Sequence, residues 1–289
     1  MKTIAIICDC DNTLAPDTTS MLLEDNGINL DLFWKDISSK VKLGWDPPVA
    51  WMTEIAELIK NGKISQDTNA KLAEFGKSVT TFPAASEFIT QLNKSLGKEH
   101  DVSVEGYVVS CGIESLMQGT TLAESFTDIF GSSFYEKDGI IAGVKSSITF
   151  TEKTKFVFAI NKGITSQIRE NPYNVNTFVE NEKRRVPFEN MIYLGDGASD
   201  IPCFSMIKNH GGHCIGIEID SKWHKEFQLE LRMREMSAFK PDYSEGSELR
   251  TEIESSINKL VYLVWFFSNI RYALVYRKDK FGLFCKCDA

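Results

Sequence analysis

A short apolar run near the start of the chain, Ile4 to Cys8, ends abruptly at an acidic turn. A continuous apolar run followed by polar residues is typical of a strand that is buried on both faces in a parallel sheet. The turn reads Asp9-Cys10-Asp11-Asn12-Thr13. Two carboxylates are therefore predicted at the carboxyl end of a buried strand, which is where open α/β sheets bind ligands. This feature predicts an α/β fold with a ligand site beside its first strand.

Strands and helices alternate along the rest of the chain. Further apolar runs, each predicted to be a strand, lie at 102–109, 191–194 and 213–219. The helical stretches between them are near 153–161 and 199–208. Asp138-Gly139, flanked by short β-type segments, predicts a hairpin. The alternation predicts a doubly wound, Rossmann-like, mostly parallel sheet, in which the runs ending at Val109 and Leu194 lead into polar turns.

A helical segment interrupts this α/β pattern directly after the first strand. Its apolar residues recur at three- and four-residue steps, as at Leu30, Phe33, Trp34, Ile37 and Val41. We therefore predict an α/β core formed by 1–16 and 96–260, a helical domain at 17–95, and a C-terminal extension at 261–289. Trp34, Trp45 and Trp51 of the helical domain could line a pocket, although aromatic residues of this kind are more often part of a core.

A second acidic turn, Gly195-Asp196-Gly197-Ala198-Ser199-Asp200, follows the predicted strand at 191–194. An isolated Asp-x-Asp pair would be interpreted as solvated or helix-capping residues. Two such turns at strand ends are a stronger signal, because close carboxylates repel each other unless a cation lies between them or one is protonated. Carboxylate oxygens are the hard ligands that Mg²⁺ prefers. Asp9, Asp11, Asp196 and Asp200 are therefore the candidate metal ligands.

Two further segments supply groups that could bind phosphate. Ser110 is predicted to end the second strand, where its hydroxyl and the amides of Cys111 and Gly112 could hold phosphate oxygens. Lys153 lies near a predicted helix start and could supply a positive charge, although a lysine in such a position is usually solvated. Lys155 is close by in sequence, and the choice between the two lysines stays open at this stage.

The order of these elements resembles the four motifs of the haloacid dehalogenase superfamily, and in particular its phosphoserine phosphatase-like branch. The motifs are Asp-x-Asp-x-Thr, a serine, a lysine and Gly-Asp-Gly-x-Ser-Asp, and the helical segment after the first motif resembles that superfamily's helical cap. The resemblance covers about residues 1 to 258. It implies a phosphatase that acts on a small phosphomonoester through an aspartyl-phosphate intermediate, with Mg²⁺ as cofactor.

The resemblance also implies a role for each candidate residue. Asp9 would attack phosphorus, and Asp11 would protonate the leaving group and then activate water. Ser110 and Lys153 would bind the transferring phosphoryl group. Asp9, the backbone carbonyl of Asp11 and Asp196 would hold Mg²⁺, while Asp200 would orient a bound water or the lysine. Relatives that dehalogenate carbon lack an acid two residues after the nucleophile, so Asp11 indicates a phosphate ester.

Other functions are compatible with parts of this pattern. A phosphotransferase or mutase on the same fold would use the same aspartyl phosphate and differ only in the acceptor. A receiver-like signalling module also clusters acids on a doubly wound fold, but it lacks a large helical insert after the first strand. A scaffold that merely keeps the fold is disfavoured because all the expected functional side chains are present.

Composition restricts the partners and the location. A formal net charge of −8 argues against a nucleic-acid partner, because binding to nucleic acid is typical of proteins with a basic surface. The first residues reach Asp9 too soon for a signal peptide, and the seven cysteines form no disulfide pattern, so we expect reduced thiols and a cytoplasmic location. The apolar stretch 260–276 is interrupted by Asn269 and Arg271, too early for a membrane span. It is expected to pack on the core or on a second copy in a homodimer.

Overall fold

The computed structural model describes residues 2–97, 100–219, 231 and 236–261. Within these residues the core is a seven-stranded sheet in the order β4-β3-β2-β1-β5-β6-β7. The strands are β1 (Lys2–Cys8), β2 (Val102–Ile113), β3 (Asp128–Lys137), β4 (Ile140–Ser146), β5 (Met191–Gly195), β6 (His213–Ile217) and β7 (Ala238–Phe239). All neighbouring pairs are parallel except β3 and β4, which form the predicted hairpin around Asp138-Gly139. The predicted α/β fold with a mostly parallel sheet is confirmed.

The first strand lies at the centre of the sheet and is buried on both faces, as its continuous apolar run predicted. Residues Ile4 to Cys8 are fully inaccessible to solvent. Cys8 is in register with Val108 of β2 and with Leu194 of β5. Because these three parallel strands are level at this point, the residues that follow each of them meet at one edge of the sheet.

Helices cover both faces of the sheet and form the segment after β1. They are α1 (Thr18–Asp25), α2 (Leu30–Lys42), α3 (Pro47–Lys60), α4 (Asn69–Gly76), α5 (Phe88–Leu92), α6 (Glu114–Gly119), α7 (Glu152–Lys162), α8 (Thr165–Glu170) and α9 (Ile201–Asn209). The first four each begin after a residue whose side chain accepts a backbone N–H of the first turn: Asp17, Asn29, Asp46 and Thr68. Such caps satisfy amides that have no partner inside the helix.

The tryptophans of the predicted helical domain lie in different environments. Trp51 is buried, and Trp34 is partly buried and donates its indole N–H to Ser20 Oγ at 3.1 Å. Trp45, between α2 and α3, is 45% exposed and is not part of the core. At the end of the predicted helical domain, Phe88 of α5 contacts Tyr243, with 4.7 Å between the ring centroids. Both rings belong to the buried core that includes residues of the sheet, so α5 packs on that core.

Two contacts join the helical segment firmly to the α/β core. Helix α4 packs backbone to backbone on α6, because a Cβ atom on Gly76 would collide with the carbonyl oxygen of Leu116 and one on Gly119 with that of Ala73. The hairpin makes the second contact, in which Ile141 N donates to the carbonyl of Asp67 at 2.7 Å. The position of α4 is therefore determined by close packing against the element that directly follows β2.

The second strand is longer than its apolar run predicted. We expected a turn at Ser110-Cys111-Gly112, but β2 continues through these residues to Ile113. The pairing with β3 shifts here, since Val109 opposes Phe130 whereas Ile113 opposes Ser132. Two extra residues on β2 therefore form a bulge, and bulges re-aim side chains beside active sites. A polar Ser-Cys-Gly triplet looks the same in sequence whether it makes a turn or a bulge.

The last described residues, 248–261, are helical, and their apolar side chains Leu249, Ile253, Ile257 and Leu260 are buried. The predictions made for 260–276 and for the extension 261–289 fall almost entirely outside the described residues. Among the described helices, none combines the length and the apolar character needed to cross a membrane. The five described cysteines are free thiols, as predicted: Cys8, Cys10, Cys111, Cys203 and Cys214.

Candidate active site

The acidic turn after β1 is folded by its own backbone hydrogen bonds. The carbonyl of Cys10 accepts the N–H groups of Thr13, Leu14 and Ala15 at 2.8–3.1 Å. Asn12 has a φ of 58°, a left-handed conformation that asparagine tolerates better than most residues. The buried Tyr243 hydroxyl donates to the carbonyl of Thr13 at 2.9 Å. The turn is thus fixed by hydrogen bonds from its own backbone and from Tyr243.

A buried lysine joins the acids of the two turns. Lys153, in the first turn of α7, is fully inaccessible to solvent, and its amine donates to Asp9 Oδ2 at 2.6 Å and to Asp200 Oδ1 at 2.7 Å. The other oxygen of Asp9 accepts the backbone N–H of Cys10 at 2.7 Å. Burial by itself lowers the pKa of Lys153, but the charges of Asp200 and Asp9 outweigh it and raise that pKa well above its usual value. Lys153 is therefore a fixed positive charge.

Asp200 is held by three donors. Besides Lys153, its Oδ1 accepts the Tyr193 hydroxyl at 2.8 Å, and its Oδ2 accepts the backbone N–H of Gly197 at 3.0 Å. Gly195 makes room for it, since a Cβ atom there would collide with the Asp200 carboxyl. Burial raises the pKa of Asp200 to about 7, and the positive charge of Lys153 opposes this shift. These three hydrogen bonds fix the Asp200 carboxylate, which in turn fixes the position of the Lys153 amine.

The acidic cluster fits a divalent cation. Asp9, Asp196 and Asp200 are buried, and one carboxylate oxygen from each lies within 4.8 Å of the others. Asp196 Oδ1 also accepts the Thr13 hydroxyl at 3.3 Å, which joins the two turns. Three buried carboxylates with one lysine leave an excess of negative charge, which is costly in a low-dielectric site without a further cation. Hard oxygen donors of this kind suit Mg²⁺.

Asp11 is held in a different way from the other acids. Its Oδ1 accepts both the backbone N–H and the hydroxyl of Thr18, at 2.8 and 2.7 Å. Its Oδ2 lies against Gly112, where a Cβ atom would be only 2.7 Å away. Burial and then the charge of Asp17 raise the pKa of Asp11 to about 8, against the opposing hydrogen bonds from Thr18. This shift favours the protonated form of Asp11, which can act as an acid.

The bulge in β2 brings three predicted residues to the same edge of the sheet. Ser110 is buried, and its Oγ accepts the backbone N–H of Gly112 at 3.1 Å. Burial raises the pKa of the Cys111 thiol to about 12, with Lys153 acting in the opposite direction, so this thiol is neutral. A raised thiol pKa does not suit nucleophilic chemistry at Cys111, because the thiolate is the reactive form. The bulge can offer a hydroxyl and backbone groups to an anion instead.

The structure brings together the residues that the sequence singled out, apart from one alternative. The residues that converge at the edge of the sheet formed by the ends of β1 and β5 and by the bulge in β2 are Asp9, Asp11, Ser110, Cys111, Gly112, Lys153, Asp196 and Asp200. Lys155 instead forms a salt bridge with Glu152 and lies 4.7 Å from the centre of the Phe156 ring. Geometry therefore favours Lys153, and the chemical roles of the whole set stay predictions.

Three side chains that hold the site together were not predicted from the sequence. Thr18 fixes Asp11, Tyr193 donates to Asp200, and Ser132 donates to the carbonyl of Cys111 at 2.8 Å. Tyr193 carried a usable signal, because a hydroxyl within an otherwise apolar buried strand needs a hydrogen-bond partner. The other two are small polar residues that local sequence does not distinguish from ordinary helix and strand residues.

Comparisons with known proteins agree with this architecture. No protein-family model matches the sequence. An uncharacterized protein of Borreliella burgdorferi is 26% identical over 237 residues, covering 73% of this chain and 80% of that protein. A structure described as a phospho-aspartyl intermediate analogue of phosphoserine phosphatase is similar, with a TM-score of 0.52 and 18% identity, covering 88% of this chain and 99% of that chain.

A HAD family hydrolase from Salmonella enterica subsp. enterica serovar Typhi gives a TM-score of 0.53 at 14% identity, covering 82% of this chain and 68% of that chain. These similarities show that the chain has the fold of the haloacid dehalogenase (HAD) hydrolases. A phosphoserine phosphatase structure is among the proteins that share this fold. At these identities the comparisons establish the fold, and the activity has to be argued from the site.

Proposed function

We propose that this protein is a Mg²⁺-dependent phosphatase that hydrolyses a small phosphorylated metabolite through a phosphorylated Asp9. The observation that carries the proposal is the buried amine of Lys153, which bridges Asp9 and Asp200 beside Asp196. A carboxylate can attack an anionic phosphate only where nearby cations neutralise both groups. Lys153 supplies one such charge at 2.6 Å from the carboxylate that would attack.

In the first step, an Asp9 carboxylate oxygen forms a bond to phosphorus while the bond from phosphorus to the leaving oxygen breaks. The leaving oxygen takes the proton of Asp11, whose pKa of about 8 keeps that proton in place at neutral pH. Ser110, on the bulge next to Asp11, would donate its hydroxyl to a phosphoryl oxygen. Lys153 stabilises the negative charge that the phosphoryl oxygens carry in the transition state.

In the second step, a water oxygen bonds to phosphorus, and the bond between phosphorus and Asp9 breaks to release inorganic phosphate. Asp11, now a carboxylate, accepts the proton that this water loses. The two hydrogen bonds from Thr18 stabilise that carboxylate and keep it pointing into the site. The same side chain therefore serves as acid and then as base, and both residues return to their starting states.

The metal ion has a defined set of candidate ligands. Asp9, Asp196 and the backbone carbonyl of Asp11 would hold Mg²⁺, while Asp200, already occupied by three donors, would keep Lys153 in place. When bound, Mg²⁺ neutralises negative charge on the acids and on the phosphate.

The test is phosphate release from a panel of small phosphomonoesters, including p-nitrophenyl phosphate, with Mg²⁺ and with EDTA. We expect Mg²⁺-dependent release that Asp9→Asn abolishes, because an amide is not a nucleophile. Asp36→Asn is the matched control, since Asp36 is an exposed acid that pairs with Lys40 on α2, and its activity should equal that of the wild type. Unimpaired turnover in Asp9→Asn would refute the mechanism.

A further inference from the structure

A single buried serine connects two separate parts of the candidate site. Ser132 of β3 is fully inaccessible to solvent. Its hydroxyl donates to the carbonyl of Cys111 at 2.8 Å and accepts the backbone N–H of Ile148 at 2.9 Å. Both partners are backbone groups, and one belongs to the bulge in β2 while the other belongs to the segment that leads into α7.

The bond to Cys111 controls the direction of a second hydrogen bond. The carbonyl of Cys111 and the N–H of Gly112 belong to the same planar peptide group, so fixing one fixes the other. The Gly112 N–H donates to Ser110 Oγ at 3.1 Å. Since that N–H occupies a lone pair of Ser110 Oγ, the hydroxyl hydrogen of Ser110 must point elsewhere. Ser132 thus sets the orientation in which Ser110 presents its hydroxyl.

The bond to Ile148 leads in the other direction, to the lysine. The residue after Ile148 is Thr149, whose carbonyl accepts the backbone N–H of Lys153 at 3.3 Å. The start of α7 is therefore tied through 148–149 to the Ser132 hydroxyl. The Ser132 hydroxyl therefore links the bulge that carries Ser110 to the segment that carries Lys153.

The strand that bears Ser132 cannot easily move relative to the bulge. The preceding residue is Gly131, where a Cβ atom would lie 2.7 Å from the backbone of Glu114 at the start of α6. The Glu114 carboxylate accepts the Gly131 N–H at 3.0 Å, and it is held in turn by Arg169 at 2.8 Å. The backbone of β3 is thus fixed directly against the residues that follow the bulge.

We propose that Ser132 is a positioning residue that holds the Ser110 hydroxyl and the Lys153 amine at the separation needed to bind one phosphoryl group. The inference rests on the proposed phosphatase function, since it assigns those two groups to phosphate. Ser132 itself touches no substrate atom and acts only through the Cys111–Gly112 peptide and the start of α7. Removing its hydroxyl leaves a buried carbonyl and a buried N–H without their partner, so both segments must shift.

The test is calorimetric titration of the protein with Mg²⁺ alone, and then with inorganic phosphate in the presence of Mg²⁺. Ser132→Ala should bind phosphate about tenfold more weakly, which corresponds to ~1.4 kcal/mol. Its Mg²⁺ affinity should be unchanged, because the Ser132 hydroxyl bonds to none of the acids. Ser133→Ala is the matched control, since it removes an exposed hydroxyl pair with Ser146 from the next position and should bind both as the wild type does.

Each outcome of these titrations has a definite meaning. Wild-type phosphate affinity in Ser132→Ala overturns the inference and leaves the proposed function standing. Equal weakening of Mg²⁺ and phosphate binding overturns it too, since that result indicates general loosening of the protein. Ser132→Thr keeps the hydroxyl and should bind phosphate as the wild type does. If the alanine variant does not fold, Ser132→Thr is compared with Ser132→Cys instead, and equal phosphate affinity in these two variants overturns the inference. A wild type that binds neither Mg²⁺ nor phosphate refutes the function and the inference together.

Discussion

If the proposed mechanism holds, the Thr18 hydroxyl should determine the pH at which phosphatase activity falls on the alkaline side. It donates to Asp11 Oδ1 at 2.7 Å and so stabilises the ionised carboxylate, which lowers the pKa. Burial and the charge of Asp17 nevertheless raise the pKa of Asp11 to about 8. The first step needs Asp11 protonated, so kcat/KM should fall as the pH rises through that value.

Thr18→Val removes this donor and changes the side-chain shape very little, while the backbone N–H of Thr18 still bonds to the same oxygen. A hydrogen bond to a charged group contributes about 1.5–3 kcal/mol. Since one pKa unit corresponds to about 1.4 kcal/mol, the pKa of Asp11 should rise by about one to two units. The fall in kcat/KM should therefore move from near pH 8 to about pH 9–10.

The assay is kcat/KM against pH for an alkyl phosphate, whose poor leaving group needs the proton of Asp11. With p-nitrophenyl phosphate the same fall should be shallower, because that leaving group departs with little protonation. Thr19→Val is the control, since Thr19 is also buried and its hydroxyl is not bonded to Asp11. A fall that stays in place in Thr18→Val, or that moves to lower pH, would show that Asp11 is not the titrating acid.

Three other variants or conditions test the site. Lys153→Met leaves buried carboxylates unpaired and should lower the free energy of unfolding, measured in urea with EDTA, by about 3 kcal/mol. Lys155→Met should lower it by less than about 1 kcal/mol, and equal losses would contradict the burial of Lys153. Gly112→Ala places a methyl group 2.7 Å from Asp11 Oδ2 and should lower kcat by about 100-fold with little change in melting temperature, so unchanged kcat would count against the close approach. Mg²⁺ at 100 times its Kd should stabilise the wild type by about 2.7 kcal/mol in thermal melts, and Asp196→Ala should lose this gain; stabilisation retained in that variant would place the ion elsewhere.

Much of the fold and the site followed from strand ends that the sequence marks clearly. The apolar run at Ile4 to Cys8 predicted a strand buried on both faces, and the acids that follow β1 and β5 were predicted to be metal ligands because each turn follows a strand end. These predictions needed only local patterns. The bulge at Ser110 was missed because it exists only relative to β3, and pairing register is a property of two distant segments.

The two lysines show a second limit of local patterns. Lys153 and Lys155 are separated by two positions, which places them on opposite sides of a helix. Which side faces the acids depends on how α7 packs on the sheet, and sequence spacing alone does not determine that packing. The roles of the Thr18 and Ser132 hydroxyls could not be predicted from local sequence for the same reason, since each bonds to a residue outside its own helix or strand.

The contact between α4 and α6 determines which positions of the helical segment tolerate mutation. At Gly76 and Gly119 any side chain would meet a backbone oxygen, so a saturation library should retain glycine at both positions. Leu43 and Trp45, between α2 and α3, are exposed and should tolerate many replacements. A library in the helical segment should therefore vary the α2–α3 connection and keep α4 and its two close glycine contacts unchanged.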